Sequence, residues 1–180
     1  MKPSSLAALL VSLLIPVSAF AWGGTSQGTY TAGLSFGLES PTLLGDEIDI
    51  ELHGGYYGSD ALQYGLTGLY RTDDAITEMQ ITALVQYHFL DSVLVDGNGA
   101  ASAFSPFVGL FLGYGSGENP VQDETGAVAG IRLGLDVFLT QNIALYLKGD
   151  CMVSTGDIYP DGVEMKNAKM ALSAGFHFFF

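Results

Sequence analysis

Three histidines, one cysteine and a large excess of acids are the residues of this sequence that could do chemistry. His53, His88 and His177 could act as general bases or as transition-metal ligands. Ser173 and His177 make a hydroxyl–imidazole couple four residues apart. In an extended chain that spacing is about 13 Å, beyond the reach of a nucleophile and its base. The histidines fall in three separate alternating segments, so a shared metal site would need three strands to converge. They read instead as histidines satisfied in an interior or at an interface. Gly113-x-Gly115-x-Gly117 has the glycine spacing of a phosphate cradle, but no helical pattern follows it and no lysine stands where one is needed. These glycines read as a strand end and a loop. The single cysteine, Cys151, excludes a disulfide framework and a cysteine-based zinc site and reads as a small apolar residue. No catalytic residue, metal or cofactor is expected, and the chain does not read as an enzyme.

The charges divide into two sets. Asp46, Glu47, Asp73, Asp74, Glu118, Asp123, Glu124, Asp157, Asp161 and Glu164 gather in turn-rich stretches with Lys166 the only base nearby. They keep loop ends solvated, and Asp123, Glu124, Asp157 and Asp161 could contact Ca²⁺ or Mg²⁺, although no spacing matches a dedicated calcium loop. The second set is Asp49, Glu51, Arg132, Asp136, Lys148, Asp150 and Lys169, all on the polar phase of alternating segments. If that phase faces inward, these charges must pair into a network. The net charge of −13 repels nucleic acid, which is not expected as a partner.

The elements that carry these residues repeat with a period of two, the signature of strands. Eight apolar phases run over Tyr30–Leu38, Ile48–Tyr56, Leu62–Tyr70, Met79–Phe89, Val108–Tyr114, Ala127–Leu139, Ile143–Val153 and Ala168–Phe180, and none of their positions is charged. In the fifth, Phe107, Val108, Leu110, Phe111 and Leu112 are apolar on both faces, which leaves two registers open. With 48% hydrophobic residues, 14% charged, 24 glycines and a mean hydropathy of +0.34, the chain is not disordered. Beyond residue 21 it has no apolar run long enough for a membrane helix.

Residues 1–21 have the form of a secretory signal peptide: Lys2, an apolar core from Leu6 to Val17, and a small-x-small site ending at Ala21. That leaves 22–180 as one domain. A soluble barrel would bury the apolar face and wet the polar one; a membrane barrel inverts this. Segment length, tyrosines and phenylalanines near segment ends, and glycines and serines crowding the polar phase favour inversion. The sequence therefore predicts an all-β, eight-stranded antiparallel up-and-down transmembrane β-barrel.

The ending Leu172 to Phe180, with alternate Phe176, Phe178 and Phe180, resembles the C-terminal signature of Gram-negative outer-membrane β-barrels. Ser105-Pro106-Phe107-Val108-Gly109 running into Gly113-Tyr114-Gly115 looks like a strand opening of the small barrels of the outer membrane protein A and opacity type. Phe138 to Leu145 is similar to their tight periplasmic hairpin. The resemblance implies a cell outer-membrane location among lipid and lipopolysaccharide, with Phe176, Phe178 and Phe180 read by the β-barrel assembly machinery. It places both termini, 58–61, 90–103 and 140–142 in the periplasm, and 40–46, 72–77, 115–125 and 154–166 outside. The stretch from Leu90 to Ala103 is long for a periplasmic connection. The implied role is structural, or contact of acidic loops with an external partner whose identity the residues do not give. The alternatives are a narrow conduit for ions or small apolar solutes and, less favoured, a lipid-modifying enzyme.

Overall fold

The computed structural model describes residues 26–38, 48–72, 77–89, 104–140, 142–161 and 164–180. Eight strands form a wall: β1 Tyr30–Gly37, β2 Ile48–Tyr57, β3 Leu62–Thr72, β4 Thr77–His88, β5 Phe104–Glu118, β6 Asp123–Thr140, β7 Ile143–Ser154 and β10 Ala168–Phe179. Two short strands, β8 Tyr159–Asp161 and β9 Glu164–Lys166, make a separate hairpin between β7 and β10. The wall strands pair antiparallel in chain order, and β1 closes on β10 from Thr31 opposite Phe179 to Gly37 opposite Ser173. Tyr30 and Phe180 extend this seam by exchanging both backbone hydrogen bonds, at 3.0 and 2.9 Å. Closure leaves no edge strand, so the wall's backbone groups are bonded within it.

The alternation sets which side chains face in. Leu66, Ile81, Leu110, Leu112, Leu133 and Met170 stand on the outer face, with Ile81 and Met170 71% and 73% exposed. Glu51, Glu78, Arg132, Asp136, Lys148 and Asp150 point inward and are buried. This is the inverse of a soluble barrel. In β5 the ambiguity resolves with Leu110, Leu112 and Tyr114 outward and Phe107 and Phe111 inward. Phe107 pairs with Gly134 and Phe111 with Gly130, and each ring lies over its glycine, filling the lumen where the partner strand has no side chain.

Two connections differ from the sequence expectation. The loop placed at 115–125 is a tight turn, because β5 stays paired with β4 as far as Glu118 opposite Thr77 and β6 resumes at Asp123. Asn119 closes it by accepting the N–H groups of Val121 and Gln122 at 2.9 and 2.8 Å. Within the stretch placed outside at 154–166, Ile158 and Tyr159 turn back into the mouth of the barrel. Ile158 and Tyr159 are buried against Leu84, Phe111, Val128 and Met152. The Gly113-x-Gly115-x-Gly117 run is strand, and its last two glycines clear space for this cap. A Cβ at Gly115 would stand 2.8 Å from Ile158 Cδ1, and one at Gly117 would run into the Ile158 carbonyl. The leader, the Ala21 site, all of 90–103, and Asp46, Glu47, Asp73 and Asp74 lie outside the described residues.

Candidate functional site in the barrel lumen

Strand order stacks the inward side chains in layers. From the rim that holds the termini, β7 presents Ala144, Tyr146, Lys148, Asp150 and Met152 in turn, and β2 presents Tyr57, His53, Glu51 and Asp49. On β6 the same direction gives Phe138, Asp136, Arg132 and Val128. Tyr57, Ala144 and Phe179 pack at the terminal rim with Phe138 beside them. Above them lie an imidazole layer, a charge cluster and the apolar chamber under the cap.

The charge cluster contains Glu51, Arg132, Lys148 and Asp150. Arg132 donates from Nε and Nη2 to the two Asp150 oxygens at 2.8 and 2.9 Å, and from Nη2 to Glu51 Oε2 at 3.1 Å. Lys148 Nζ donates to Glu51 Oε2 at 2.6 Å and to Asp150 Oδ2 at 2.5 Å. Two cations and two anions make the group neutral, as buried ions must be. Arg132 also lies 5.6 Å from the Phe111 ring centroid and donates to the Tyr146 hydroxyl at 3.3 Å. A cavity of about 20 Å³, room for a single water, is lined in part by Glu51, Thr67, Arg132, Lys148 and Asp150.

The remaining residues of the expected network stand elsewhere. Lys169 pairs at 2.9 Å with Glu78, whose other oxygen accepts from Gln80 at 2.6 Å. Asp49 lies opposite Arg71 across the β2–β3 ladder. Asp136 does not join the cations: its contacts are His177 Nδ1 at 3.1 Å and His88 Nδ1 at 4.0 Å. Strand phase places Glu78 and Tyr146 inside with the others; alternation does not show that Glu78 meets Lys169 across the lumen.

The three histidines converge, against the sequence expectation. The His53 and His177 ring centroids are 4.8 Å apart, and Tyr146 stacks on His177 at 4.1 Å. The cause is Gly33, which lies between them in the wall, opposite His53 on β2 and opposite His177 on β10. A Cβ at Gly33 would stand 2.5 Å from His177 Cδ2, so only glycine lets the rings meet there. His88 bridges the Tyr57 hydroxyl, 3.0 Å from Nε2, and Ser105 Oγ, 3.0 Å from Nδ1. Ser105, His88 and Asp136 thus hold the groups of a hydrolytic triad. Serine and carboxylate approach the same imidazole nitrogen, however, so the ring cannot take a proton on one side while being held by the acid on the other. Among the described residues no three His, Cys, Asp or Glu side chains are arranged to hold a metal ion.

At the cap, burial with Glu78 nearby pushes the Tyr159 hydroxyl well above the usual tyrosine range. Asp123 and Asp157 are exposed, Glu124 is half-buried and accepts from Gln122 at 3.2 Å, and the structure does not describe the Asp161 side chain. Phe176 stands outward and 44% exposed, Phe178 and Phe180 are half-buried, and Phe179 between them is buried in the lumen.

No protein-family model matches the chain, and no curated protein matches it by sequence. Solved structures do match. Neisserial surface protein A (NspA) shares 17% identity over 86% of this chain and 98% of its own, with a TM-score of 0.60. The N-terminal β-barrel domain of OprF from Pseudomonas aeruginosa shares 14% over 86% and 98%, with a TM-score of 0.57. The outer membrane protein OprG from the same bacterium shares 17% over 87% and 98%, with a TM-score of 0.54. The chain has the fold of the eight-stranded outer-membrane barrels.

Proposed function

We propose that this protein spans the Gram-negative outer membrane as a closed barrel with a structural or surface-interaction role. The observation that carries this reading is the sidedness of the wall. A band that includes Leu66, Ile81, Leu110, Leu112, Leu133 and Met170 faces out, while Glu51, Arg132, Lys148 and Asp150 face in. Such a surface is unstable in water and stable in hydrocarbon, where closure satisfies every backbone group. Tyr30, Tyr56, Tyr64, Tyr87 and Phe89 stand exposed near the terminal rim, where an interfacial girdle belongs. The lumen is filled by Phe107, Phe111, Tyr146 and the charge cluster and capped by Ile158 and Tyr159, which favours a scaffold over a conduit. The rim opposite the termini carries the exposed acids Glu118, Asp123 and Asp157 and is the surface offered to lipopolysaccharide, its cations or an external partner. Phe176, Phe178 and Phe180 at the end of the closing strand are the proposed assembly signal.

The test is electrophoresis of the outer-membrane fraction in SDS, unboiled and boiled. A folded barrel gives a band that shifts on boiling. A soluble periplasmic protein with no shift would overturn the reading.

A further inference from the structure

We propose that the cavity beside the charge cluster is a binding site for one water molecule, which bridges Glu51 Oε1 to Thr67 Oγ1 and ties β3 to the cluster. The cavity is about 20 Å³, and about 10–15 Å³ is enough for a single water. Glu51 and Thr67 both line it and are only 4% and 5% exposed. Glu51 Oε2 accepts from Lys148 and Arg132, whereas Oε1 of the same carboxylate is buried with no hydrogen-bond partner among the described residues. Thr67 Oγ1 is buried in the same condition. The β2–β3 register sets Glu51 opposite Leu69 and Thr67 opposite His53, so Glu51 and Thr67 are diagonal neighbours on the inner face. Two orphaned oxygens on one water-sized space form the arrangement that a bridging water satisfies.

The chemistry of the lining selects water over other occupants. A carboxylate oxygen only accepts, while a threonine hydroxyl both gives and takes, so a molecule between them must donate at least once. Water does this, and its own oxygen can accept from Lys148, which carries a third N–H beyond those directed at Glu51 and Asp150. An ion would find no counter-charge. Arg132 and Lys148 neutralise Glu51 and Asp150, Lys169 pairs with Glu78, and Asp49 stands opposite Arg71. A larger molecule does not fit. On the side of the mouth the lining is Phe111 and Met152, part of the apolar packing under the cap. One water held at a single position thus leaves the cluster out of bulk solvent. By direct contact the cluster joins β2, β6 and β7, and the water extends it to β3.

The experiment pairs a crystal structure of the full chain with urea unfolding of Thr67→Val in detergent micelles, read as the SDS-resistant fraction. The crystal structure should show an isolated density peak within hydrogen-bonding distance of both Glu51 Oε1 and Thr67 Oγ1. Thr67→Val keeps the shape and removes one anchor of the water, so it should raise the unfolding constant by roughly tenfold. A hydroxyl with no partner predicts the opposite sign, because replacing an unsatisfied buried polar group by a methyl is neutral or stabilising. Thr67→Ser keeps the hydroxyl and should keep the peak. No peak at this position in the parent protein would overturn the proposal, as would a Thr67→Val protein as stable as the parent or more so. If Thr67→Val does not fold, the parent and Thr67→Ser crystal structures decide alone. The test concerns only the closed lumen, so its failure would leave the membrane reading standing.

Discussion

Replacing Glu51 with Gln should break the charge balance of the lumen without changing its shape. Glu51 Oε2 accepts from Lys148 at 2.6 Å and from Arg132 at 3.1 Å, and these cations share only one other carboxylate, Asp150. A pair of unit charges 4 Å apart interacts by about 4 kcal/mol at an effective dielectric constant near 20. Two such contacts are lost in Glu51→Gln, the amide recovers one hydrogen-bond acceptor, and a net positive charge remains buried. Uncompensated buried charges cost about 3–5 kcal/mol, and that loss of stability is expected here. Lys148→Met alone should cost a similar amount by leaving a net negative charge. The double variant is neutral again and keeps the two-point Arg132–Asp150 pair, so it should recover about 2–3 kcal/mol relative to additivity. Urea titration of the SDS-resistant band in micelles measures all four proteins. A Glu51→Gln loss under about 1 kcal/mol with additive double-variant behaviour would mean a hydrated cluster, and the reasoning would fail.

Three further outcomes follow from the geometry. Gly117→Val should expel the Ile158–Tyr159 cap and speed proteolysis within 155–167, whereas Gly68→Val, where a Cβ meets nothing within 4 Å, should not. Deleting Phe180 removes both seam hydrogen bonds with Tyr30 and should lower the yield of folded barrel while leaving secretion intact. Planar bilayers containing the protein should show no steady stepwise conductance, since aromatic rings and paired ions fill the lumen; regular open steps would contradict a closed interior.

The wall was legible because the sequence alternates so strictly: the apolar phase of each segment, from Tyr30 to Phe180, is the outer face of the barrel. Alternation fixes the side of the sheet a residue occupies, but not which residues meet across it. That is why Asp136 could not be separated from Arg132 and Lys148 by reading, and why Glu78 was not matched to Lys169. The convergence of His53 and His177 was hidden for the same reason, since it depends on a register that puts Gly33 between them. The cap was hidden for a different one. Asp157, Asp161 and Glu164 surround Ile158 and Tyr159 in sequence and suggested an exposed loop, and only the cleared space at Gly115 and Gly117 shows where those two apolar residues go.

Cys151, the single cysteine of the chain, offers the most direct test of the inverted wall. It stands exposed on the outer face, between Ile131 on β6 and Met170 on β10. If this face is in lipid, a charged water-soluble maleimide should fail to label Cys151 in intact membranes and should label it fully once SDS and heat unfold the barrel. Rapid labelling of the folded protein would place the apolar face in water and contradict a membrane-spanning barrel.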